Sequence, residues 1–347
     1  MYRFFLTTIF FFIFFILSAQ QAHVEENFEN GIPSDYINED YDALPLGNGF
    51  KIAISGKWFV GNVSNSEGKA ALSTSHHTFE LPTDNWLITP KIRISVLDTW
   101  LTWDARSMHY DLRDSYKVMV SSTGTNPEDF HEIFSNTEED YSWTKHVCSL
   151  SDYVGKDIYI AFVHNSTGKF LLALDNLYVG ELSHPSFRVL DRTLKFCGND
   201  SLIEVKGVLY NTGKSLSLSR LLCQVENDTY SIDCSNSNFY TADSLAFSFK
   251  LPAKSEGPVP YSIGLETIDD GVINVLTDSV ICSYYPRTLL IEKGTGVWCT
   301  SCPGVIPLVN RLKERYKDQL VYIESHSEYN DYAELSYPLY DQGMHTA

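Results

Sequence analysis

Basic side chains are scarce: 26 Lys and Arg stand against 44 Asp and Glu in 347 residues, a formal net charge of −18. No basic stripe occurs anywhere, and such a balance excludes a surface built for nucleic acid or anionic lipid. Long apolar runs are as rare. Past the N-terminus, no segment approaches the roughly 18 consecutive apolar residues that a membrane helix needs, so no transmembrane span is expected in the mature chain. Residues 1–22 read as a secretory signal, with Arg3 the only charge, an apolar run from Phe4 to Leu17, and small residues near Ala19 and Ala22 for a peptidase. No Cys follows the run, which argues against a lipoprotein anchor. Losing Arg3 moves the charge from −18 to −19, and the remainder is expected to be exported: cell-surface, secreted or periplasmic.

What is abundant is β-forming residues. Aromatics make up 14% of the chain, and many alternate with polar neighbours. Between residues 23 and 182 short β-branched or aromatic runs recur between turn clusters: Lys51–Ser55, Trp86–Thr89, Tyr116–Ser121, Asp157–Phe162 and Leu171–Leu174. Period-two alternation is plain at Tyr116, Val118 and Val120. Such spacing predicts an antiparallel sandwich. Five phrases occur in order: Phe28-Glu-Asn-Gly-Ile-Pro33, Asp84-Asn-Trp-Leu-Ile-Thr-Pro90, Val120-Ser-Ser-Thr-Gly-Thr-Asn126, Leu150-Ser-Asp-Tyr-Val-Gly-Lys156 and Leu174-Asp-Asn-Leu-Tyr-Val179. In them the stretch resembles the cleaved-adhesin, or choice-of-anchor J, domains. The resemblance implies a jelly roll serving as an extracellular binding or spacer module. It also implies calcium at Glu29, Asp40, Asp42 and Asp175, although Ala43 stands where the family has Gly; hard oxygen donors suit that ion. Against this stands the plain reading of Glu39–Asp42 as a solvated acidic loop and of Asp175-Asn176 as a turn. His76-His77 and the run Glu138-Glu139-Asp140 read as solvated surface.

Residues 183–285 form a second β-rich block of a size that suits a small sandwich. Its Asn211-Thr-Gly-Lys214 turn resembles those of Ig-like spacers. A hairpin with a four-residue loop at Asn227 to Tyr230 would set Val225 opposite Ile232 and Cys223 opposite Cys234, within reach of a disulfide in an oxidising compartment. Cys197 with Cys282 is a second pairing. Cys148 reads as a small buried apolar residue.

Residues 286–347 carry the most chemically pointed motif, Trp298-Cys299-Thr300-Ser301-Cys302-Pro303. A β-rich run precedes it, and Gly294 and Gly296 let the chain turn. Val305, Leu308, Val309, Leu312 and Tyr316 then form one apolar stripe of a helix. Leu320–Ile323 reads as another strand, giving a βαβ unit. At a helix N-terminus unpaired N–H groups and the dipole favour a thiolate on the first Cys. From Leu289 to about His326, with Thr295-Gly296-Val297-Trp298 and Pro307, the segment resembles thioredoxin-like proteins secreted by Gram-negative bacteria. By that resemblance Cys299 is the nucleophile, Cys302 the resolving thiol and a disulfide-bearing protein the substrate. Lys293 stands where those proteins have a buried acid, and Glu292 falls on the opposite face. The segment ends at Ala347, before the cis-Pro loop and final hairpin, and so reads as a truncated domain. A static disulfide and half a zinc site are the other readings; zinc would need a second pair, and His326 and His345 lack ligand spacing.

The expected fold is multidomain and mainly all-β, a jelly-roll sandwich (23–182) and an Ig-like sandwich (183–285), with a C-terminal partial α/β thioredoxin-like βαβ unit (286–347). The expected function couples adhesin-type binding of an extracellular ligand to thiol–disulfide exchange without a required cofactor. The alternative is a non-enzymatic adhesion protein that keeps the thioredoxin-like segment as scaffold. No His/Asp/Ser or paired-acid motif points to a hydrolase.

Overall fold

Along Tyr116-Lys-Val-Met-Val-Ser121 every second side chain is apolar, which suits a strand with one face against a core. The computed structural model, which describes residues 24–47, 56–63, 68–194, 202–252, 257–282, 289–295, 306–317 and 320–326, places that strand inside a two-sheet sandwich. The first domain runs through β1 (Val24–Glu26), β2 (Ile37–Asp40), β3 (Phe59–Asn62), β4 (Lys69–Thr74), β5 (Asn85–Ile88) and β6 (Ile92–Arg93). It continues through β7 (Trp100–Ser107), β8 (Tyr116–Ser121), β9 (His131–Asn136), β10 (Thr144–Ser149), β11 (Asp157–His164) and β12 (Leu171–Gly180).

One sheet has the order β10-β7-β12-β4-β3, with β1 also on β12; the other has β2-β5-β11-β8-β9, with β6 on β11. Every pairing is antiparallel. Between the sheets Leu101 and Trp103 of β7 and Leu172 and Val179 of β12 meet Leu87 of β5, Val118 and Val120 of β8, and Ile158 and Ile160 of β11. Alternation sends the intervening residues outward, where a second cluster of Val63, Ala70, Leu72 and Ala173 is flanked by Phe59, Met108 and Trp143.

The second domain comprises β13 (Phe187–Leu194), β14 (Leu202–Asn211), β15 (Leu216–Val225), β16 (Asp228–Phe239), β17 (Ser244–Pro252), β18 (Gly257–Thr267) and β19 (Gly271–Cys282). Sheets β13-β14-β17 and β16-β15-β18-β19 close over Leu209, Leu221, Cys223, Phe249, Ile263 and Leu265, a three-plus-four sandwich. Last come β20 (Leu289–Thr295), α1 (Ile306–Tyr316) and β21 (Leu320–His326), with β20 and β21 parallel. Helix α1 buries Val309, half-buries Leu308, Leu312 and Tyr316, and turns its charged side outward. Pro307 is the second described residue of α1. No helix among the described residues is long and apolar enough to cross a membrane.

The β15–β16 hairpin corrects the expected disulfide. Its turn is the two residues Glu226-Asn227, with Glu226 at φ 52°, and not the four residues Asn227 to Tyr230. Two-residue hairpin turns favour such left-handed backbone because it matches strand twist. Pairing therefore extends to Val225↔Asp228, so Cys223 faces Tyr230 and Leu221 faces Ile232. The slip is even in number, so Cys223 stays on the core face while its partner changes. Cys234 falls where the register shifts, between Arg220↔Asp233 and Leu218↔Ser237, and Cys223 and Cys234 are both free thiols. Of the other predicted elements, Lys51–Ser55, Cys197 and the tract Trp298–Pro303 lie outside the described residues. Cys148 is half-buried against the first core, and burial pushes its thiol up to about 11.

Cys223 is fully buried, and burial pushes its thiol up to about 12, whereas Cys234 is partly exposed. In the folded protein iodoacetamide at about pH 8 is therefore expected to modify Cys234 at least ~100-fold faster than Cys223, since the thiolate is the nucleophile. A peptide-mass time course reads both rates, and a Cys223–Cys234 cross-linked peptide would overturn this register.

Candidate functional site

Three groups typical of hydrolases meet inside the first domain. Asn85 Nδ2–H donates to Ser73 Oγ (3.0 Å), and Ser73 Oγ lies 2.8 Å from His164 Nδ1. His164 Nε2 lies 3.1 Å from Asp114 Oδ1, which also accepts from Ser75 Oγ–H at 2.8 Å. With Asn85 donating, the serine hydroxyl points its proton at Nδ1, and Nε2–H points at the carboxylate. Hydrolytic triads use the opposite ring nitrogens. Ser73, Asn85, Asp114 and His164 are all fully buried, so no substrate carbonyl can reach the hydroxyl. The cluster ties β4, β5 and β11 together through side-chain hydrogen bonds, with Asn85 Oδ1 and Asp114 Oδ2 left buried without a partner. Sequence reasoning found no such constellation because its members come from three strands and the loop before β8, far apart in sequence.

A second buried pair corrects the reading of Glu138-Glu139-Asp140 as solvated. Glu139 is 1% exposed and lies 2.8 Å from Nε2 of His146. Its carboxylate also accepts from Asn136 Nδ2–H (3.0 Å) and from the Asp140 N–H (2.9 Å). Burial alone would push this carboxyl up, but the His146 hydrogen bond and charge, the Asp140 N–H and the Tyr116 hydroxyl outweigh it and hold it below the ordinary range. His77 is buried too, against Thr83 Oγ1 at 3.0 Å, and burial lowers its pKa.

The four acids expected to gather calcium do not converge. Asp40 ends β2 and Asp42 lies in the bend that follows, where Asp40 accepts from the Ala43 N–H (2.7 Å) and Asp42 from the Leu44 (2.8 Å) and Asp84 (2.6 Å) N–H groups. Turn capping occupies both side chains. Ala43 itself sits at φ 49°, the left-handed backbone that explains Gly at this place in the family it resembles. Glu29 accepts from the Lys69 N–H at 2.8 Å. Asp175, opposite Asp104 in the β7–β12 ladder, is pushed up to about 6, first by burial and then by the charges of Asp104, Glu29 and Glu26. Glu29 and Asp175 thus share one acidic neighbourhood, and Asp40 and Asp42 lie in another beside His77. Among the described residues no group of three or more His, Cys, Asp or Glu is placed to hold a metal ion.

Cys299 and Cys302 lie outside the described residues, and the strands that flank them do not. Lys293 stands directly across from Glu324, with Nζ 2.7 Å from its Oε1, while Glu292 is exposed as alternation requires.

The accessible chemistry of the first domain lies on the outer face of the β10-β7-β12-β4-β3 sheet. Arg106, on an outward position of β7, has its Cζ 4.9 Å from the Tyr141 ring centroid and 5.7 Å from that of Trp143. Tyr141 stands edge-on to Tyr110 (6.5 Å, 87°), and Tyr110 stacks on His109 (4.9 Å, 15°). Tyr110 and Tyr141 are 41% and 40% exposed, although His109 covers one face of the Tyr110 ring and the Arg106 guanidinium one face of the Tyr141 ring. Sequence reasoning passed over this group. Its one signal is the spacing Tyr141-x-Trp143, which places both rings on one side of an extended chain.

The lowered Glu139 pKa sets a pH dependence. The folded state binds fewer protons at this group than the unfolded chain, so its stabilisation is complete above the ordinary value of 4.5 and is lost as pH falls through the lower folded value. Glu139→Gln is expected to lower unfolding free energy by ~2 kcal/mol at about pH 7, with the difference shrinking below about pH 4. Urea denaturation at both pH values measures it, and a pH-independent difference would refute the ionised pair.

Comparison with known proteins bears on the first domain. Hemagglutinin A of Porphyromonas gingivalis is 26% identical over 176 residues, which cover 41% of this chain and 7% of that protein. The chain thus spans a small part of that relative. Among solved structures, the K1 and K3 cleaved adhesin domains of Lys-gingipain from Porphyromonas gingivalis are 24% and 23% identical. Each aligns over 46% of this chain and 98% of its own length with a TM-score of 0.36. The family model of the Cleaved Adhesin Domain matches residues 21–179, a stretch that takes in nearly all of the twelve-stranded first domain.

Proposed function

We propose that this chain is an exported binding protein whose adhesin domain takes an extracellular ligand on the outer face of the β10-β7-β12-β4-β3 sheet. One observation carries the reading. The potentially catalytic groups of the domain are buried, while Tyr110 and Tyr141 are exposed on the outer face beside the half-buried Trp143 and the buried Arg106 guanidinium. Rings exposed beside a cation suit recognition better than turnover, because they offer contact area and orientation without a nucleophile. Hemagglutinin A is named for agglutinating blood cells, which suggests the assay. Beads coated with the full chain are expected to agglutinate erythrocytes, and Tyr110→Ala with Tyr141→Ala to raise the minimum bead number at least ~10-fold, the scale of a lost aromatic anchor. Unchanged agglutination by the double variant would remove the outer face from the function.

A second activity is supported by the parallel β20 and β21 strands joined through α1, the setting that a redox Cys-x-x-Cys requires. The Cys299 thiolate attacks a substrate disulfide to give a mixed disulfide, and the displaced substrate thiolate takes a proton. Cys302 then attacks Cys299, releasing the second substrate thiol and leaving a Cys299–Cys302 disulfide, a balanced two-electron exchange. The competing reading keeps the segment as scaffold in a non-enzymatic adhesion protein. The full chain is expected to reduce insulin disulfides in the presence of dithiothreitol, and Cys299→Ser to fall to the rate of dithiothreitol alone. Equal rates for the two proteins would leave only the scaffold.

A further inference from the structure

Arg106 is a buried cation without an anion. It is 7% exposed, its Nε is buried with no hydrogen-bond partner, and among the described residues its side chain forms no ion pair or hydrogen bond. Its interactions are with the π faces of Tyr141 and Trp143. The nearby carboxylate of Asp140 is engaged by Arg113 at 3.7 Å, and Asp104, two residues away on the same face, accepts from Asn176 Nδ2–H at 2.8 Å. A guanidinium withdrawn from water normally gains a carboxylate in exchange, because its planar fork matches two oxygens. Here the fork is oriented by two rings and has no carboxylate.

We infer that Arg106, Tyr141 and Tyr110 form a subsite for a saccharide bearing a ring carboxylate, of the uronic or sialic acid class, an inference that rests on the outer-face binding reading. The carboxylate pairs with the guanidinium. The apolar C–H face of the sugar lies on the uncovered side of the exposed Tyr141 or Tyr110 ring. Trp143 remains beneath Arg106 and holds the fork in place, a positioning role. An acidic peptide supplies the same charge, but its flexible side chain offers no flat apolar face to two open rings. The saccharide therefore fits both halves of the site.

Titration calorimetry on the full chain tests this with two matched pairs, 3′-sialyllactose against lactose and trigalacturonate against galactotriose, and with hexaglutamate as the peptide arm. At least one acidic saccharide is expected to bind about tenfold or more tighter than its neutral counterpart, the scale of a charge-assisted pair, and the choice between the two pairs identifies the source. Arg106→Met, which keeps packing between the rings and removes an unpaired charge, is expected to hold or raise the melting temperature and to abolish the preference. Arg106→Lys, with charge but no fork, is expected to fall between. Equal binding within both pairs, a preference that survives Arg106→Met, or hexaglutamate binding as tightly as the better saccharide would each overturn the inference. Agglutination that still depends on Tyr110 and Tyr141 in that case leaves the outer-face reading standing.

Discussion

Trp103 holds the first domain together. Fully buried on β7, it stacks on His146 of the neighbouring strand (5.3 Å, 21°) and meets Phe134 and Phe162 of the facing sheet edge-on at 5.0 and 5.6 Å. Its indole N–H donates to Tyr116 Oη at 2.9 Å, which bonds one sheet to the other through the apolar layer. An aromatic with one polar atom does two things here: its area drives the sheets together, and its N–H fixes how they sit. His146 carries the effect outward to Glu139, so a carboxylate that reads as surface becomes the outer end of a core network.

From this layer the rest of the domain follows by alternation. Residues facing Trp103 are apolar, and those one step along β7, including Asp104 and Arg106, face the opposite way. The acidic neighbourhood around Asp175 and the aromatic group around Arg106 are therefore two regions of one sheet face. Their charges are of opposite sign, which gives that face a polarity the chain's net charge of −18 conceals.

Much of the fold was legible because strand signals are local. Tyr116, Val118 and Val120 alternate in the sequence and point inward in the structure, and the strand–helix–strand order around the Cys-x-x-Cys needed only its apolar periods. The adhesin-type phrases fall within the stretch that forms the twelve strands β1 to β12. What failed depended on partners distant in sequence. Glu139 and His77 look like surface residues until the strands that bury them are assembled. The Cys223 pairing failed on one turn: a glutamate at φ 52° closes the hairpin two residues earlier than composition suggests. The calcium set depends on distant partners as well: Glu29 and Asp175 share one acidic neighbourhood, and Asp40 and Asp42 lie beside His77. Arg106 carried no motif at all, and its environment comes from a loop more than thirty positions onward.

The buried Ser73, His164 and Asp114 carry a wider consequence. Side chains that elsewhere split esters act here as mortar between strands, because all three are fully buried and no acyl group reaches the hydroxyl. Accessibility, more than mutual distance, separates a cutting device from a rivet, and damage to any of the three registers as a loosened sandwich with no turnover to lose.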